Sequence, residues 1–406
     1  MTRYKDEDDA LGRQLRLFLC QRIRYGTLLK PVIYLDHNAT TTVLPEVVDA
    51  MWPYLSEQWG NPSSGYRFGA TAKQALEVAR AHVAELISSR PEEILFTSGA
   101  TEANNTAIHA ALATQPQKRH LITSRVEHSS VLGYCEAVAQ RGIEVTYIEV
   151  DANGQLDLAA LAEAMRLDTA LVSLMWANNE TGVISPVAEI AALCQNRDVR
   201  FHCDAVQAVG KVAVDFSHIP INYLTLSGHK LGAPKGVGAL VIQEGTPFAP
   251  LIVGGKQEAE RRGGTESVPL IVALGVACSI ASRRDPAAWS QVANLRDELE
   301  KRVFAVFPEA YRNGGPDSRL PNTSNFGIPG VDSDALVAFL DSQGICVSSG
   351  SACMASSLAP SHVVMAMRHD HQKASEALRV SLGLATTDSE VTRLVELLET
   401  FAAVVR

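Results

Sequence analysis

The chain has 406 residues, of which 46% are hydrophobic and 20% charged, a balance that supports a substantial core and about two domains. A net charge of −9 without long acidic blocks argues against nucleic acid as the main partner, and no apolar run reaches the ~18 residues that span a bilayer. The seven cysteines are scattered and odd in number, forming neither a disulfide framework nor a paired zinc array, so a reducing, cytoplasmic setting is expected.

Residues 1–30 open with Asp6, Glu7, Asp8 and Asp9, which does not suit a secretory or transit peptide. Beyond them, Leu11, Leu15, Phe18 and Leu19 alternate with Arg13, Arg16 and Arg22 at helical spacing, predicting an amphipathic helix appended to the body. From Glu92 to about Ile242 short apolar runs alternate with helical patterns. "EILFTSG", "HLITSRV", "EVTYIEV", "TALVSLMWA", "VRFHCDAVQ", "YLTLSGHK" and "GALVIQE" read as strands. Such alternation predicts a mostly parallel sheet covered by helices on both faces. The apolar stretch Pro269 to Ile280 is too short to cross a membrane and reads as a buried helix. A smaller α+β region follows, with "SNFGIP", "ICVSSGSAC" and "ALRVSLG" before a final helix. The expected division is an extension at 1–30, a large domain at 46–284, and a small domain formed by 31–45 and 285–406.

In parallel sheets, ligands bind beyond the carboxyl ends of the strands, and polar residues gather there in this sequence. Ser98, Gly99 and Thr101 open a helix, where free N–H groups and the dipole favour a phosphate. Asp204 and Gln207 follow one strand, Ser227, His229 and Lys230 close another, and His128 heads a helix after a third. Taken singly, each has an ordinary explanation: a helix cap, a salt bridge, a surface lysine, a core histidine. Together, a lysine for a cofactor aldehyde and an aspartate for a pyridine nitrogen are what pyridoxal phosphate requires. Cys353 lies in "SSGSACMASS", where packing residues are scarce; the loop alone leaves a solvated turn and a reacting thiol equally open. His362 with "HDH" at 369–371 lacks a fourth metal ligand, so no metal is expected.

The segments "YLDHNATT", "GNPSSGYRFG", "FTSGATEAN", "EHSSVL", "MWANNETG", "HCDAVQAVGK", "LSGHKLGAPKGVG" and "SSGSAC" occur in this order. From Tyr34 to the C-terminus the chain resembles the pyridoxal-phosphate cysteine desulfurases of the class V aminotransferases, most closely the nitrogenase-associated branch. The resemblance implies an α/β, fold-type I enzyme: a large domain with a mostly parallel seven-stranded sheet and a smaller α+β C-terminal domain. It implies that Lys230 carries the cofactor, Asp204 pairs with its pyridine nitrogen, Gln207 bonds its phenolic oxygen and His128 stacks on its ring. Ala100 through its backbone, with Thr101, Ser227 and His229, would hold the phosphate. Asn179 would lie beside cofactor and substrate, Arg379 would clamp the substrate carboxylate, and Asn38 would contribute to substrate binding. Thr265 would reach the phosphate of a neighbouring subunit, implying a homodimer. His37 stands where the family has a smaller or amide residue, "MASS" follows Cys353 in place of the usual small pair, and "KQEAERRGG" lacks the usual Arg-Gly pair. The implied reaction converts L-cysteine to L-alanine with a persulfide on Cys353, whose sulfur passes to an acceptor such as an iron–sulfur scaffold protein. The alternatives are a selenocysteine lyase, another β-eliminating class V enzyme, or an inactive scaffold in sulfur delivery.

Overall fold

The computed structural model describes residues 32–350 and 360–405, so the expected helix within 1–30 and Cys353 lie outside the described residues. In chain order the strands are β1 (Ile33–Tyr34), β2 (Ile94–Thr97), β3 (His120–Ser124), β4 (Glu144–Ile148), β5 (Thr169–Ser173), β6 (Arg200–Asp204), β7 (Tyr223–Ser227) and β8 (Gly238–Ile242). They continue with β9 (Tyr311–Arg312), β10 (Thr323–Gly327), β11 (Ile345–Cys346), β12 (Ser348–Ser349) and β13 (Ala377–Ser381).

Seven strands form the expected sheet in the order β2-β8-β7-β6-β5-β3-β4. It is parallel from β7 to β4, while β8 runs antiparallel to both of its neighbours, β2 and β7. The pleat sends alternate side chains to opposite layers. Ile94, Phe96, Ile122, Val172, Phe201, Leu224 and Val241 join a core with helices that include Arg67–Leu86, Val187–Asn196 and Val268–Ser282. Leu95, Leu121, Leu171, Tyr223 and Leu240 meet the helices Ala100–Ala113 and Ser129–Ala139 on the other face. The apolar stretch from Pro269 is the buried helix Val268–Ser282, with proline in its first turn where no N–H is missed. Its Gly275 has no room for a side chain: a Cβ there would stand 2.5 Å from Cα of Ala79.

A second sheet, β12-β13-β10-β9, is antiparallel, and β1 pairs in parallel with β11. Leu35, Val292, Leu299, Phe326, Leu336, Val380 and Leu394 form a separate core beneath it. Residues 36–41 run from this unit to the large sheet. His37 N–H donates to Ser381 O, and Thr41 N–H donates to His229 O. That crossing segment brings Asn38 and Ala39 to the carboxyl ends of the parallel strands.

Candidate active site

A cavity of about 470 Å³ opens beyond those strand ends. Asn38, Ala100, Thr101, His128, Asn179, Asp204, Gln207, Ser227, His229, Lys230 and Arg379 all line it. Thr265 does not; it lines an adjoining cavity of about 180 Å³ that shares Ser98 and Gly236 with the first.

Asp204 ends β6 almost fully buried. Its Oδ2 accepts from Asn104 Nδ2 at 2.7 Å and its Oδ1 from the Val206 N–H at 3.0 Å. Neutral amides therefore orient the carboxylate and supply no counter-charge of their own, so a cation in the cavity can meet it. The same Asn104 amide donates to Ser130 Oγ at 2.8 Å, and Ser130 Oγ lies 2.8 Å from His128 Nδ1. His128 also caps the helix Ser129–Ala139, its Nδ1 accepting from the Ser130 N–H at 3.1 Å. A neutral imidazole that accepts at Nδ1 carries its proton on Nε2. Burial, and then the Lys230 cation, hold His128 below the ordinary histidine value against the pull of Asp204, so it stays neutral at pH 7.

Lys230 follows β7, and its Nζ donates to the backbone carbonyls of Asn38 and, at 2.6 Å, Ala39. His229 bonds Thr40 Oγ1 through Nδ1 at 3.1 Å; burial, then Lys230 and Lys235, push its pKa down to about 4. Arg379, which also lines the cavity, is buried on β13, Nη2 donating to Asp36 Oδ1 at 2.7 Å and Nη1 to Asn179 O at 3.1 Å. Its Nε is buried with no hydrogen-bond partner among the described residues. The Asn38 amide is committed to protein: Nδ2 donates to Thr323 Oγ1 at 2.8 Å and Asn179 O at 3.1 Å, while Oδ1 accepts from Asn322 and Lys211. Described chain before Cys353 ends just after β12, whose Ser348 lies opposite Arg379.

These residues fit pyridoxal phosphate. The helix beginning at Ala100 has no side-chain cap, so its first N–H groups join Thr101, Ser227 and His229 as donors suited to a phosphate. Glu102, the carboxylate in that first turn, is engaged by Arg262 at 3.0 Å and the Ser98 N–H at 2.9 Å and does not compete. Asp204 supplies the anion for a ring nitrogen, and Lys230 the amine.

Sequence reasoning assigned nothing to Asn104 or Lys211, although both stand in segments it singled out. The signal was their spacing, Asn104 three residues after Thr101 and Lys211 four after Gln207, which puts each within a turn of a site residue.

The family model for aminotransferase class-V matches residues 33–394. The chain is 48% identical over 367 residues to "Cysteine desulfurase 2" of Trichormus variabilis, covering 90% of this chain and 92% of that one. It is 46% identical over 364 residues to "Cysteine desulfurase NifS" of Azotobacter vinelandii, covering 89% and 90%. Among solved structures, a "NifS-like protein" superposes with a TM-score of 0.86 at 34% identity, over 92% of this chain and 99% of the other. With the family model spanning residues 33–394 and these relatives in agreement, the chain belongs to the class-V aminotransferase family.

Proposed function

We propose that the protein is a pyridoxal-phosphate-dependent cysteine desulfurase, converting L-cysteine to L-alanine and leaving the sulfur as a persulfide on Cys353. The observation that carries this reading is one cavity holding Lys230, Asp204, His128 and Arg379 in a chain whose near relatives are named cysteine desulfurases.

Bound pyridoxal phosphate supplies an electron sink for the bonds at the substrate Cα. Ala100, Thr101, Ser227 and His229 would hold its phosphate, Asp204 its ring nitrogen and Gln207 its ring oxygen, with His128 and Asn179 lining the same cavity. Arg379 receives the substrate carboxylate, its guanidinium already oriented by Asp36. Lys230 Nζ takes the proton from the substrate Cα, and His128 relays a proton at Nε2. Cys353 acts as a thiolate, which requires a pKa below the usual ~8.5 or proton exchange with substrate. Its Sγ forms a bond to the substrate sulfur as the carbon–sulfur bond breaks. That electron pair remains on carbon and is protonated to the methyl group of alanine. The balance is one enzyme thiol and one cysteine in, one persulfide and one alanine out.

The sulfur acceptor is proposed to be an iron–sulfur scaffold protein, and the working form a homodimer in which Thr265 serves the partner's site. The division into a large domain at 46–284 and a small one at 31–45 and 285–406 is proposed; a core of its own around Leu299, Phe326 and Leu394 supports the small unit, although Leu320 packs into the core of the large sheet. No helix among the described residues is long and apolar enough to cross a membrane. A cytoplasmic setting is proposed on the cysteine pattern, all five described cysteines being free thiols.

The test follows alanine and sulfide from L-cysteine with dithiothreitol, for the wild type and Cys353→Ala. Wild type is expected to make both and the variant to lose sulfide release. Full activity in Cys353→Ala would remove the persulfide role.

A further inference from the structure

Lys211 is a buried amine that does not line the cavity, yet both of its hydrogen bonds go to residues that do. Its Nζ donates to Gln207 Oε1 at 2.6 Å and to Asn38 Oδ1 at 3.1 Å. An ammonium has donors only, whereas a side-chain amide has an accepting and a donating end and can be turned either way. Lys211 holds the oxygen end of both amides, while backbone carbonyls take their nitrogen ends, Asn179 O that of Asn38 and Asn38 O that of Gln207.

The consequences reach the cavity. With Oε1 held, the Gln207 Nε2 group points away from Lys211 and donates one N–H to Asn38 O at 3.1 Å, leaving its second N–H for a ligand. With Oδ1 held, Asn38 Nδ2 is turned to Thr323 and Asn179, and the Asn38 carbonyl accepts from both Gln207 and Lys230. Burying an amine is costly, and one that only filled space would be replaceable by an apolar chain. Burial, followed by Lys230 and Arg379, holds Lys211 well below the ordinary lysine value, and Gln207 Oε1 and Asn38 Oδ1 accept from its Nζ.

We propose that Lys211 is a positioning residue that sets the Gln207 and Asn38 amides, so that Gln207 presents an N–H donor to the cofactor's ring oxygen. This rests on the pyridoxal phosphate part of the proposed function and not on the identity of the substrate. A donor to an ionised ring oxygen favours the charged form and lowers the pH at which the bound chromophore titrates.

The experiment is a pH titration of the visible absorbance of purified holoenzyme, with cofactor release measured by dialysis, for the wild type, Lys211→Met, Gln207→Leu and the double variant. Lys211→Met is expected to move the titration midpoint by about one pH unit and to speed cofactor release several-fold. Gln207→Leu should shift the midpoint in the same direction, and the double variant should go no further than Gln207→Leu alone, since Lys211 acts through that amide. A wild-type midpoint in Lys211→Met overturns the proposal, as do shifts that simply add in the double variant. If Lys211→Met does not give soluble protein, Lys211→Gln, with its single donor group, is read in the same way. No cysteine is present in this titration, so a failed desulfurase reading and a failed role for Lys211 give different results.

Discussion

Arg379 and Asp36 form a 2.7 Å ion pair across the strand junction of the small unit, their side chains only 3% and 16% exposed. The aspartate fixes the plane of the guanidinium, and Nε has no partner among the described residues. Asp36→Asn keeps the shape and removes the charge. It is expected to raise KM for L-cysteine about tenfold with a smaller fall in kcat, because orientation of the substrate carboxylate is lost first. Arg379→Lys removes the planar fork and should cost about a hundredfold in kcat/KM. Steady-state kinetics separate the two, and an unchanged KM in Asp36→Asn would show that Arg379 holds its geometry without help.

Asn104 is the single amide that bonds both Asp204 and Ser130, and through Ser130 reaches His128. Asn104→Ala leaves a buried carboxylate short of a donor, worth about 1–3 kcal/mol. The expected result is cofactor affinity reduced about tenfold or more, measured by titrating apoenzyme with pyridoxal phosphate. Wild-type affinity would mean that the Val206 N–H suffices to hold Asp204.

Glu258 sits in a run of three positive backbone angles, Glu258 at φ 48°, Ala259 at 56° and Glu260 at 65°, which side-chain-bearing residues adopt only at a cost. Arg80 holds its carboxylate in a fork at 2.7 and 3.0 Å, and the Phe96 N–H adds a third bond at 3.0 Å. Breaking a buried pair from one side costs about 3–5 kcal/mol. Glu258→Gln should therefore lower the urea midpoint markedly, while Arg80→Met with Glu258→Met should recover part of the loss. The same loop leads to Thr265, so the proposed homodimer, followed by sedimentation, should weaken in the single variant.

Glu127, beside His128, is buried, with Oε1 accepting from Ser124 Oγ and the Met175 N–H and Oε2 without a partner among the described residues. Burial pushes its pKa up to about 8 from 4.5. The folded state therefore keeps a proton that the unfolded chain gives up. Stability from this group is full below about pH 4.5 and declines as pH rises toward 8. Glu127→Gln should flatten that decline in chemical denaturation between pH 5 and pH 8, and a slope equal to the wild type's would place the charge elsewhere.

Much of the large sheet was legible because its strands are short Val, Ile and Leu runs separated by amphipathic helices. The reversed direction of β8 was not, since an apolar run carries no polarity. The reason is in the connection: residues 228–237 between β7 and β8 are too few for a helical crossover, so the chain must turn back. Lys230, Asp204 and His128 were legible because they follow strands, where the sheet rule puts a ligand. Asn104 and Lys211 were not, because one partner of each, Asp204 and Asn38, comes from 100 and 173 residues away and only burial gives those contacts meaning. Cys353 is known from the sequence and its resemblance alone.

The pairing of the strands also sets a timetable for synthesis. β2 emerges early but its only neighbour in the sheet is β8, and Ile33 in β1 is in register with Ile345 in β11. A nascent chain carries apolar strands with no mate until most of the polypeptide has left the ribosome, the condition in which non-local folds are slow and prone to aggregate. The crossing segment at Asn38 is complete only when Asn322 and Thr323 reach it, so a cofactor-ready pocket is among the last things the growing chain makes.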